Sequence, residues 1–131
     1  MYTPANVVSY GFPIDVTIFT YLLAAGMTAA DVGKAVTLDT TAANRVRLAA
    51  AGEPIFGRLE TYEDRDSLSI KTGAVSRLFK EKLPAPAGHG IAIGASVTGG
   101  AIPGNVAGVA AGTNRTIVVE TGATYVVVEA L

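Results

Sequence analysis

Short segments in which apolar and polar residues alternate with a period of two recur from Val36 to the end of the chain, and that period suits a strand with one wet face. Val36 and Leu38 alternate with Thr37 and Asp39, Val46 and Leu48 with Arg45 and Arg47, and Ile55, Gly57 and Leu59 with Phe56, Arg58 and Glu60. Leu68 and Ile70 alternate with Ser69 and Lys71 until Gly73 interrupts, ahead of Val75, Arg77 and Phe79. A glycine inside such a run predicts a bulge or bend. Ile91, Ile93, Ala95 and Val97 form one face of a further predicted strand. The segments Thr116 to Glu120 and Tyr125 to Leu131 form the last two, joined by the turn Thr121-Gly122-Ala123-Thr124. Strands this short, with turns rich in Gly, Asp and Asn, predict an all-β barrel or sandwich. Helix is minor: Thr28-Ala29-Ala30-Asp31 caps and begins one short turn, which Gly33 ends.

Charge is distributed unevenly over this pattern. The chain has 131 residues with 10 basic and 11 acidic side chains, and all but Asp15, Arg115, Glu120 and Glu129 lie between Asp31 and Lys82. A free-standing domain spreads charge over its whole surface, because every strand has a solvent face. The uncharged stretches therefore predict surfaces that meet another chain. One is the N-terminal segment, residues 1–27, which holds Pro4 and Pro13 and reads as an extended arm preceding a domain at residues 28–131. The other is the loop Gly99 to Asn114, rich in glycine and alanine. Long loops without charge tend to be functional. Tyr10, Phe12 and Phe19 cluster in the arm, and aromatic residues are enriched at interfaces. We therefore assign arm contacts to Val7, Tyr10, Phe12, Ile14, Val16, Ile18 and Phe19, and loop contacts to Ile102, Val106 and Val109.

The residues offer little for catalysis. With no cysteine and one histidine, thiol chemistry, sulfur-ligated zinc and a histidine-rich metal site are excluded, and no cofactor is expected. His89, in Gly88-His89-Gly90, reads as a turn residue after Pro84 and Pro86. Glu60, Glu63, Asp64 and Asp66 read as a charged tip between strands, because Arg65 lies among them and the spacing misses a calcium loop. The glycines of GHGIAIG lead into a strand, where a phosphate cradle would open a helix. A net charge of −1 gives no electrostatic footprint for nucleic acid. The most apolar run, Val16 to Met27, is shorter than the roughly 20 residues that cross a bilayer, so no membrane partner is expected.

Several of these features resemble the head-decoration, or cement, proteins of tailed bacteriophages, the lambda-type group built on a small β-barrel or β-tulip. The likeness lies in Asp31-Val32-Gly33-Lys34-Ala35-Val36 entering a strand, in Ala51-Gly52-Glu53-Pro54-Ile55-Phe56-Gly57-Arg58-Leu59, in the glycine- and alanine-rich Gly88 to Gly112, and in the closing strands. It covers roughly Asp31 to Leu131. The resemblance implies a non-enzymatic virion protein on the outer surface of the capsid, commonly a homotrimer, that binds the major capsid protein and cements neighbouring capsomers. In that group an N-terminal segment often contacts the shell, a role that falls here on the arm. Two other readings remain at this level. One is an adhesin or glycan- or receptor-binding β module, and the other is a tail or connector subunit.

Overall fold

The computed structural model describes residues 18–65, 70–77 and 80–130. Its strands are β1 (Ile18–Leu23), β2 (Ala35–Leu38), β3 (Arg45–Leu48), β4 (Gly57–Leu59), β5 (Glu63–Arg65), β6 (Ile70–Arg77), β7 (Lys80–Pro84), β8 (Ser96–Gly99), β9 (Val106–Val109), β10 (Thr116–Thr121) and β11 (Tyr125–Ala130). The expected all-β barrel is present. Five strands close on one another in the order β1, β3, β2, β4, β6, with β6 returning to β1. Closure leaves the barrel wall with few free edges. The β1–β3 pairing is parallel, at Leu22↔Arg45 and Leu23↔Val46, and the other barrel pairings are antiparallel. Between β1 and β2, Thr28 caps a single 3₁₀ turn at Ala29–Asp31 through a reciprocal capping box with Asp31. Gly33, at φ 92°, turns the chain out of it.

Alternation fills the barrel. Leu23, Val36, Val46, Leu59 and Val75 meet inside it with Met27, all at most 7% exposed. The flanking Arg45, Arg47 and Arg58 stay partly in solvent. Removing each such side chain from water stabilises by roughly 1.5–3 kcal/mol. β2 departs from the simple pattern because both of its faces are covered. Val36 points into the barrel while Ala35 joins Ala49 beneath a second core of Leu83, Ile91, Val97, Val106, Val118, Val126 and Val128. This second core lies under the sheet β10-β11-β7 and the hairpin β8-β9.

Four sequence expectations change. Ile18–Leu23 falls within the stretch assigned to the arm, yet it is a barrel strand paired with β6 from Ile18↔Ser76 to Leu22↔Thr72. The glycine-rich loop is interrupted by β9, which pairs with β8 from Gly99↔Val106 to Ser96↔Val109. Ile91 to Ala95 is not a strand, because Gly94 (φ 92°) turns the chain and places Gly94 N–H and Ala95 C=O against Val118. Finally, β6 runs through Gly73 in regular register with β1. The bulge sits opposite, where the residues from Leu59 to Glu63 span only Val75 to Thr72 on β6. Gly73 is needed there because a Cβ would lie 2.7 Å from Leu59 Cδ1 and against the carbonyl of Thr61. β7 was not expected from sequence. It ends on Pro84, which an edge strand accommodates.

One ion pair ties the barrel to the hairpin. Arg47 grips Glu53 at two 2.5 Å contacts, and Glu53 also accepts the Ala50 N–H. The Arg47 bond, followed by that from Ala50, holds the Glu53 carboxyl down at about 2, from an ordinary 4.5. A depressed carboxylate stabilises the fold above pH 4.5, and that contribution disappears as the pH falls through about 2. Glu53→Gln should therefore cost about 1 kcal/mol near neutrality, after screening of this partly exposed pair. The difference between variant and parent should vanish near pH 2, as thermal unfolding at both pH values will show.

Candidate functional site: two exposed apolar surfaces

The first surface is the start of β1. Asp39 organises the turn before β3: it accepts Thr41 N–H at 3.0 Å, Thr41 Oγ1–H at 2.6 Å and Arg45 Nε–H at 2.8 Å. The bonds from Thr41 and then Arg45 hold its carboxyl below the ordinary range. Asn44, with φ 55°, turns the chain so that β3 begins only at Arg45. β3 therefore joins β1 no earlier than Leu22, and the first half of β1 has β6 on one side and no described strand on the other. The result is an apolar cluster open to solvent. Ile18 is 40% exposed, Phe19 49% and Leu22 40%. Ile18 and Leu22 stand on the outer face of the wall. Phe19, opposite the buried Val75, stands at the mouth of the barrel, as does Leu38, which is 44% exposed.

The second surface lies on the uncharged part of the chain. Ile102 is 56% exposed in the turn between β8 and β9, and Ile93 is 70% exposed in the turn before β8. Beside Ile93 a shallow groove is lined by His89, Ile91, Gly108, Val109 and Ala111. His89 holds this region in shape. Its Nδ1 accepts the Ile91 N–H at 2.9 Å, so Nε2 carries the proton and donates to Gly122 O at 2.7 Å. With both ring nitrogens engaged, this histidine is the turn residue its sequence position implies.

Of the side chains selected from sequence, Val7, Tyr10, Phe12, Ile14 and Val16 lie outside the described residues. Ile18, Phe19 and Ile102 are at the surface, and Val109 is half-buried. Val106 is 1% exposed, a core residue whose side chain meets no partner from outside. The sequence reading missed Leu22, Leu38 and Ile93. Leu38 continues the alternation of Val36 beyond the end of the barrel, and Ile93 was placed on the buried face of a strand that does not form.

Chemistry is sparse elsewhere. Glu63 and Asp64 lie exposed on β5, with Glu63 3.3 Å from Arg65. Among the described residues no group of three His, Asp or Glu side chains converges to hold an ion. Arg58 bridges Glu60 and Glu81 at 3.3 and 3.2 Å, and Ser76 donates to Glu81. Burial, and then the neighbouring Glu81, raises the Glu60 carboxyl above its ordinary range. This network joins β4 to β7. Two aromatic faces are already occupied: Arg77 lies 3.8 Å over Phe56, whose ring also meets Tyr21 edge-on, and Lys82 lies 4.2 Å over Tyr125. Comparison with known proteins finds no matching family model, no similar curated protein and no similar solved structure.

Proposed function

We propose that the protein is a structural component of a phage virion that binds the outside of the assembled capsid as a homo-oligomer and cements neighbouring capsomers. The observation that carries this reading is the exposure of Ile93 and Ile102, at 70% and 56%, on a part of the chain with no Asp, Glu, Lys or Arg between Lys82 and Arg115. Large apolar side chains held in solvent suit a contact with another protein. Identical copies arrayed on one shell then multiply weak individual contacts.

The test is co-sedimentation of the purified protein with expanded tailed-phage capsids. The parent should pellet with the shells, and an Ile93→Lys, Ile102→Lys double variant should bind at least about tenfold more weakly, since each buried isoleucine contributes more than 1 kcal/mol. Parent protein that stays in the supernatant overturns the reading. Truncations meant to probe the N-terminal segment have to stop before Ile18, because cuts nearer Met27 remove a barrel strand.

A further inference from the structure

We infer that the free edge of β1 is the contact between two copies of this chain, which pair β1 against β1 in antiparallel fashion about a two-fold axis at Phe19. The direction of the backbone groups carries this. Leu22 N–H donates to Asn44 O at 2.8 Å and Ala24 N–H to Val46 O at 3.0 Å, so the even-numbered residues of this strand turn their backbone toward β3. The opposite side agrees. Ala74, the β6 partner of Thr20, sends its own N–H and C=O to Thr61 and Glu60, so Thr20 and Ala74 do not bond each other. With a period of two, Ile18 and Thr20 also present N–H and C=O on the β3 side. β3 begins too late to meet them, and no described residue bonds them.

A second copy supplies what this edge lacks. Placing Ile18 opposite Thr20 of the other copy, and Thr20 opposite its Ile18, gives every one of these N–H and C=O groups a partner. Phe19 then faces its own equivalent at the axis, in the close, non-hydrogen-bonded type of pair where aromatic side chains meet best. The register is self-complementary, as an isologous contact requires. The residues placed in this contact, Ile18, Phe19 and Thr20, carry no charge of their own.

Two other described edges are guarded by charge. β5 carries Glu63, Asp64 and Arg65, and β7 carries Lys80, Glu81 and Lys82. Charged edge strands resist pairing with another chain. The start of β1, by contrast, is a described edge that is open and uncharged. This assigns β1 to the sister subunit and leaves Ile93 and Ile102 for the shell, whereas the resemblance gave the shell to the N-terminal segment.

The experiment is light scattering of the full-length protein over a dilution series, joined to amide hydrogen exchange read residue by residue. The mass should be that of two copies, falling toward one on dilution. The amide of Thr20 should be protected only in concentrated solution, whereas those of Phe19 and Tyr21, which face β6, should be protected throughout. Phe19→Glu should weaken association by at least about tenfold, since it sets two like charges against each other at the axis. Phe19→Tyr should leave association intact. If Phe19→Glu does not fold, the exchange of the parent protein decides alone. The inference is overturned by a single copy at every concentration, by a trimer that Phe19→Glu leaves unchanged, or by Thr20 protection that ignores concentration, as would arise if the chain's own N-terminal residues covered this edge. None of these results bears on capsid binding, which the co-sedimentation reads separately.

Discussion

Gly99→Ala is expected to lower the midpoint of thermal unfolding by about 10 °C, the equivalent of roughly 3 kcal/mol in a domain of this size. The cause is backbone meeting backbone. A Cβ at this position would drive into the carbonyl of Ala50 and lie 3.2 Å from the carbonyl carbon of Ala49. Neither segment can withdraw, because they hold each other by hydrogen bonds in both directions. Gly99 N–H donates to Glu53 O at 2.8 Å, and Gly52 N–H donates to Gly99 O at 2.9 Å. The Ala50 to Glu53 turn is in turn clamped by Arg47. The useful control is Gly112→Ala, with open space around it but a φ of +80°. That change pays only the left-handed penalty of about 1–2 kcal/mol. Circular dichroism melts of the two variants separate the effects, and a Gly99→Ala midpoint no lower than that of Gly112→Ala removes the close approach as a cause.

Leu59→Ala should cost about 3–4 kcal/mol, the range for a large side chain deleted from a core that cannot collapse. Leu59 is fully buried and is the largest of the fully buried side chains in the barrel. Its Cδ1 packs beside Gly73, which has no side chain of its own to fill the space it would leave. The neighbours Val36, Val46 and Val75 sit on hydrogen-bonded strands and have short, stiff side chains. Leu59→Met, which keeps the volume, should lose less than about 1.5 kcal/mol. Urea titrations give both values, provided the slope of free energy against denaturant is unchanged. A loss below about 1.5 kcal/mol for the alanine variant means that the barrel interior relaxes.

The fold class was legible because alternation reports directly on a wall with one wet side. Val46 between Arg45 and Arg47, and Val126 and Val128 in the last strand, behave as their spacing says. The capped turn at Thr28 and the hairpin at Gly122 were legible for a different reason, since local chemistry alone decides them. What misled were segments whose neighbours are distant in sequence. Ile91 to Ala95 has the composition of a strand but is bent by bonds to Val118, and Val106 sits in a glycine-rich stretch yet is drawn into the core by β8. The first surface was half legible. Lack of charge marked the region, but whether Ile18 belongs to an arm or a wall depends on β6, more than fifty residues later.

That dependence has a consequence during synthesis. β1 leaves the ribosome early, and the strand that completes its side of the barrel follows only after β6 has been translated, about 3–10 s later at 5–20 residues per second. Until then Ile18, Phe19 and Leu22 have no native cover from this chain. A barrel closed by its first strand is thus slow to protect that strand, and nascent chains on one message carry the same uncharged sequence close together. Expression at lower temperature or lower polysome density should favour soluble protein for that reason, independently of how stable the finished barrel is.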